Sequence, residues 1–139
     1  FDAFPVEFLK ELLTESTIIF TNEVERAIIE KLFGCDTIEE LFKFGKVQIL
    51  ITTLGKDGVL AVVNGKVEHI PAFTVQAVDT TGAGDVFHGA FLTAWLEGND
   101  LHACIRFAAA VSALKCLKPG GRSGIPTRAE AEAFLAQHS

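Results

Sequence analysis

The apolar positions of this chain fall into two rhythms, and their alternation predicts its elements. From Pro5 to Leu13, Val6, Leu9, Leu12 and Leu13 share one helical face. Thr17-Ile18-Ile19-Phe20 is a continuous apolar run of strand length, ending at Thr21-Asn22. Glu23 to Phe33 returns to helical spacing through Val24, Ala27, Ile28 and Leu32, and stops at Gly34. Thr37 to Phe44 reads as a short helix, with Thr37 as cap and Glu40 at the capping-box distance. Val47 to Thr52 is a second strand of the buried type, followed by a turn at Gly55-Lys56-Asp57-Gly58. Val59–Val63 and Val67–Ile70 form a hairpin through Asn64-Gly65. Gly82 to Glu97 is a helix whose stripe of Val86, Phe87, Ala90, Phe91, Ala94 and Trp95 marks those aromatic rings as core. After Gly98-Asn99-Asp100, an alanine-rich helix runs from Leu101 to Leu117, and its small residues predict closely approaching backbones. Thr127 caps a last helix reaching Ala136. Strands separated by helices imply an α/β fold with a partly parallel sheet. No repeat or linker interrupts it, so residues 1–139 are expected to form a single domain.

Composition narrows the function classes. With 49% apolar residues in 139, a real core is available. The net charge of −6 opposes general nucleic-acid binding, which rests on basic surfaces. No apolar run approaches the roughly 18 residues of a membrane span. If one helix carries Cys104 and Cys116, they stand roughly 18 Å apart at about 1.5 Å per residue, too far for a disulfide. With Cys35 they read as reduced thiols of a cytoplasmic protein. The four histidines show no metal-ligand spacing. The chain opens on Phe1 and contains no methionine, so it is expected to be a fragment, a processed chain or a sequence with residues missing.

The stretch Asp79-Thr80-Thr81-Gly82-Ala83-Gly84-Asp85 carries the most chemistry. A glycine-rich turn opening a long helix leaves backbone N–H groups unpaired, and the helix dipole adds positive charge there. That combination suits a phosphate or another anion. Asp85, in the first helical turn, stands where it could take a proton from an attacking hydroxyl. The same residues would also make an ordinary connection with an aspartate at a helix N-terminus. Asn22 and Glu25 follow a strand end, where open α/β sheets bind ligands; their spacing equally suits an N-cap and its capping-box glutamate. Thr53, Gly55 and Gly58 also follow a strand end, and a tight turn would need those glycines anyway.

The segment DTTGAGD with its apolar helix resembles the C-terminal signature of the ribokinase-like (PfkB) carbohydrate kinases. Three further segments agree in the same order. Thr21-Asn22-Glu23-Val24-Glu25 resembles the element near magnesium and phosphate. Thr53-Leu54-Gly55-Lys56-Asp57-Gly58 resembles the nucleotide-site loop, and Lys118 to Pro126 the closing segment. The match covers only the C-terminal half of such a kinase.

The resemblance implies a three-layer ribokinase-like fold, with helices on both faces of the sheet, in its C-terminal nucleotide-binding portion. It implies ATP-dependent phosphorylation of a hydroxyl on a small-molecule sugar or sugar acid. Asp85 would be the base and contact the substrate, with Gly82, Ala83 and Gly84 as the anion hole. Asn22, Thr53, Gly55 and Gly58 would bind ATP, and Glu25 would hold Mg2+ through water. Asp79, Thr81 and Gly120 would surround a monovalent cation such as K+. In that scheme Gly124 removes a side-chain ligand, and Cys104 and Ala108 line the adenine site. The full-length protein would be a cytoplasmic kinase, able to form a homodimer, without nucleic-acid or membrane partners. A non-catalytic nucleotide-binding fragment and a nucleoside kinase of the same family remain alternatives.

Overall fold

The computed structural model describes residues 4–138. Its contacts divide the chain into two compact units, one holding residues up to Gly55 with Val59–His69, the other Lys56–Gly58 with residues from Ile70 onward.

The first unit is built on a mixed sheet. Helix α1 (Val6–Glu15) leads into strand β1 (Ile18–Asn22), helix α2 (Glu23–Phe33) and strand β2 (Ile49–Thr53). Strands β3 (Val59–Val63) and β4 (Lys66–Ile70) follow, giving the sheet order β1-β2-β3-β4. β1 and β2 run parallel and β3 antiparallel to β2. A parallel pair needs a long crossover, which α2 and the segment after it supply. Ile19, Leu50 and Val62 stand in register on three adjacent strands and join one core with Leu13, Ile29, Ile38, Leu41 and Val47. Buried hydroxyls inside this sheet are paired: Thr21 Oγ1 lies 3.0 Å from Thr52 Oγ1.

Local chemistry sets the element ends. Asn22 caps α2, which stops at the left-handed Gly34 (φ 64°). The Asn64-Gly65 turn has φ 48° and 79°, the left-handed pair a two-residue hairpin requires. Three expectations need correction. The segment after Thr37 is a 3-10 helix over Ile38–Lys43, and the Thr37 side chain makes no cap; Glu40 instead accepts from the Asp36 N–H at 2.8 Å. On α2 the fully buried residue is Ile29, while Val24 is 70% exposed and Ile28 also faces out. The helix therefore packs through an edge of its apolar stripe. On α1, likewise, Leu9 and Leu13 are buried and Val6 and Leu12 are exposed.

The second unit is helical: α3 (Ala83–Leu96), α4 (Leu101–Cys116) and α5 (Arg128–Gln137). Asp100 caps α4 by accepting from Ala103 N–H at 2.8 Å, and Thr127 with Glu130 forms a capping box on α5. α3 packs along α4, with Phe87, Phe91 and Ala94 buried on one and Cys104, Ile105, Ala108 and Val111 on the other. The expected small-residue packing is thus present. Trp95 departs from expectation: it is 36% exposed and stacks on Phe91 with centroids 6.1 Å apart. It sits on the shoulder of the stripe. Cys104 and Cys116 are on one helix and all three cysteines are free.

Gly58 and Gly65 separate two costs of replacing glycine. Both have positive φ, at 98° and 79°. A Cβ on Gly65 would meet nothing within 4 Å, whereas one on Gly58 would lie 2.2 Å from the Ile70 carbonyl oxygen. Gly65→Ala is expected to cost about 1–2 kcal/mol, the left-handed penalty alone. Gly58→Ala should cost clearly more, because backbone must also move. Urea midpoints of the two variants at constant slope check this, and equal shifts would refute the steric argument.

Candidate active site

The site in the second unit is assembled from the loop before α3 and the C-terminal end of α4. Val78 and Asp79 both donate their N–H groups to the Cys116 carbonyl, at 2.7 and 3.1 Å. Asp79 then becomes the hub. Its Oδ1 accepts the Thr81 N–H at 2.8 Å and its Oδ2 the Gly120 N–H at 2.9 Å. Its carbonyl oxygen accepts from Lys115 Nζ at 3.1 Å. The Thr81 hydroxyl, then the Thr81 and Gly120 N–H groups, and Lys115 more weakly, hold the Asp79 carboxyl well below the usual carboxylate range.

Past this hub the chain turns through Gly82, which is left-handed (φ 73°, ψ 7°) and begins α3 without any side-chain cap. The Ala83 N–H donates to the Thr80 carbonyl at 3.1 Å. Among the described residues the N–H groups of Gly82, Gly84 and Asp85 have no hydrogen-bond partner. Ser112 fixes the start of the helix from α4 by donating to the Ala83 carbonyl at 3.0 Å. The Asp85 carboxylate is exposed and, among the described residues, has neither a hydrogen bond nor an ion pair. It lines a cavity of about 750 Å³ with Thr81, Gly82, Gly121, Arg122 and Thr127. The Arg122 side chain has no partner among the described residues. The neighbouring Arg128 on that wall is committed to Glu97 and Glu132. Free N–H donors, a glycine turn and an open cavity fit a phosphate group, and a free carboxylate beside them fits proton transfer.

The first unit holds the other predicted residues. Asn22 and Thr53 are register partners at the C-terminal ends of the parallel strands, with Glu25 and Gly55 directly after them. Asn22 Oδ1 accepts the Glu25 N–H, and Glu25 Oε2 accepts the Asn22 N–H, both at 2.9 Å. The reciprocal capping box is therefore formed, and Glu25 Oε1 is outside it. Thr53 donates its hydroxyl to the Thr21 carbonyl at 3.3 Å. Gly58 belongs with the second unit, where its place is set by close packing on Ile70. Cys104 and Ala108 are fully buried.

The monovalent-cation cage implied by the resemblance would lose a hydroxyl ligand at Gly124 and would meet the Lys115 amine at Asp79. Each oxygen of Asp79 already has a donor. Gly124 has no hydroxyl, and a Cβ there would lie 2.7 Å from the Lys115 carbonyl oxygen. Sequence reasoning missed Lys115, which is 0% exposed. The signal was its spacing, four residues past Val111 and seven past Ala108 on the buried face of α4.

A family model described as pfkB family carbohydrate kinase matches residues 2–128. The chain belongs to the pfkB family. It is 39% identical to the ribokinase of Haemophilus influenzae over 94% of this chain and 45% of that protein. It is also 39% identical to the ribokinase of Bacillus subtilis over 91% of this chain and 42% of that protein. The pfkB chain thus spans less than half the length of these curated relatives. Among solved structures it resembles the ribokinase of Thermotoga maritima (TM-score 0.83, 38% identity, 91% of this chain and 44% of that one). It also resembles a Burkholderia thailandensis nucleoside kinase in complex with inosine (0.87, 31%, 97% and 45%). A ribokinase-like E. coli protein with ATP and Mg2+ is a further match (0.82, 26%, 95% and 43%). These neighbours establish the ribokinase-like α/β fold. Among the described residues no helix is long and apolar enough to cross a membrane, and no group of His, Cys, Asp or Glu is placed to hold a metal alone.

Asp79 links this site to stability. Its carboxyl is depressed in the folded state, against about 3.9 in an unfolded chain. Its contribution is therefore full above about pH 4 and is lost as pH falls below that. Asp79→Asn should lower stability at pH 7 and flatten the acid limb of unfolding free energy between about pH 4 and pH 2. Chemical unfolding across that range tests it, and an unchanged limb would count against the hub.

Proposed function

We propose that this chain is the C-terminal nucleotide-binding part of a kinase that transfers the γ-phosphoryl group of ATP to a hydroxyl of a sugar or sugar acid. The observation that carries this reading is that Gly82 and Asp85 line one cavity, where among the described residues the Asp85 carboxylate and the N–H groups of both residues are without a partner.

Each residue has a defined task. Asp85 accepts a hydrogen bond from the attacking hydroxyl, orients it and takes its proton as the new P–O bond forms. The amides at the Gly82-Ala83-Gly84 turn meet charge that grows on the transferred group; being fixed by Asp79 and Ser112, they need no reorganisation. The Ala83 N–H is already satisfied, so the Asp85 N–H takes its place in the anion hole. Arg122 adds positive charge on the same wall. In the first unit, Asn22 would contact a phosphate and Glu25 Oε1 a water on Mg2+, while Thr53 and Gly55 would border the nucleotide. Mg2+, when bound, neutralises phosphate charge and prefers oxygen ligands with several waters.

A nucleoside acceptor is the second reading, supported by the likeness to a nucleoside kinase solved with inosine. A non-catalytic nucleotide-binding role is the third, because the chain spans less than half of its relatives.

The readings separate in one experiment. The chain alone, and the chain joined to a ribokinase N-terminal half, are assayed for phosphate transfer from MgATP to sugars and nucleosides. We expect activity in the joined form, and Asp85→Asn to lower it about 10²–10⁴-fold with ATP binding retained. Asp85→Asn activity within threefold of the parent would overturn the assignment of the base.

A further inference from the structure

Among the described residues of the second unit, Lys115 is the buried charged side chain that the proposed chemistry does not use. It lies on α4 at 0% exposure among Val111, Ala108 and Cys116. Enclosing an amine among apolar side chains is costly unless its charge meets an oxygen. Its single hydrogen bond among those of the described residues goes to the Asp79 carbonyl, at 3.1 Å. That carbonyl belongs to the residue whose carboxylate ties Thr81 to Gly120. Lys115 therefore supports the loop that leads into the Gly82 turn. The three oxygens of Asp79 each already accept a donor, one of them the Lys115 amine, and Gly124 offers neither a hydroxyl nor room for one.

We propose that Lys115 is a built-in counter-charge, a positioning residue that holds the anion-binding turn in place of a monovalent cation. The chain consequently has no requirement for K+. This inference rests on the nucleotide-binding reading of the turn. A tethered ammonium differs from a bound ion because its local concentration is fixed by the fold and does not follow the salt in solution. The turn would therefore keep its geometry whatever monovalent salt surrounds it.

The test uses the full chain in potassium chloride, ammonium chloride and choline chloride at equal ionic strength. Melting temperature and the affinity for MgATP are read in each. We expect both to be equal, within twofold for affinity, across the three salts. A gain in either that is specific to K+ over choline would overturn the proposal. Lys115→Ala should weaken MgATP binding about tenfold, or roughly 1.4 kcal/mol, with recovery in ammonium but not in choline, a signature that mere loss of packing would not give. A folded Lys115→Ala variant that binds MgATP as the parent does would also overturn it. Should that variant fail to fold, the salt comparison on the parent chain decides alone. A parent that binds no MgATP in any salt refutes the nucleotide reading instead, while its melting temperatures still report on the cation.

Discussion

One aspartate organises the second unit's loop, and its three attachments explain why the turn after it can stay open. The Asp79 carboxylate gathers two N–H groups that are far apart in sequence, Thr81 and Gly120, while the Asp79 carbonyl receives Lys115. Two backbone donors and a buried cation around one residue form a network in which each bond fixes the geometry of the next. Networks of this kind are rigid when every member is satisfied and costly when one is not. Among the described residues no buried side-chain nitrogen or oxygen is left without a partner, so the rigid case applies.

Rigidity matters because α3 begins differently from α2, α4 and α5. Asn22, Asp100 and Thr127 each cap their helix with a side chain. Gly82 makes no such cap, and among the described residues the N–H groups of Gly82, Gly84 and Asp85 have no partner, while that of Ala83 donates to Thr80. A frayed start would be the ordinary consequence. Instead the Ser112 hydroxyl, Thr80 carbonyl and Asp79 hub fix the backbone beside the cavity that Gly82 and Asp85 line. The turn gives up a local cap and receives support from α4.

Much of this was legible in the sequence because the signals were local. Gly34, Asn64-Gly65, Asp100 and Thr127 each end or start an element through their own backbone chemistry. The glycine turn before a long apolar helix likewise announced unpaired amides. What was not legible depended on tertiary packing. Ile28 and Ile29 are chemically alike, and only the sheet decides that Ile29 is buried. Trp95 shares the stripe of Phe91 but lies at its margin. Thr37 and Glu40 have capping spacing, yet the tighter 3-10 geometry sends Glu40 to Asp36. Lys115 was missed because hydropathy counts a lysine as surface, although its position on the helix is a core position. Asn22 and Glu25 show the limit from the other side: their spacing fits a cap and a ligand site equally, and the formed capping box leaves one carboxylate oxygen over.

That leftover oxygen and the free Asp85 carboxylate share a physical logic. An acidic group buried in structural bonds has its charge already spent on the fold, as at Asp79, whose proton is held off by three hydrogen bonds. Such a group stabilises but cannot take a proton from a substrate without breaking what it holds. Asp85 carries no such obligation among the described residues, so a proton arriving there disturbs nothing structural. The loop thus divides its two aspartates by role, one bonded on every oxygen and one bonded on no carboxylate oxygen, six residues apart on opposite sides of the same glycine turn. On the proposed reading, a proton acceptor and a structural hub could not be exchanged between these positions, because the features that would make each competent are the ones that would disqualify it for the other's task.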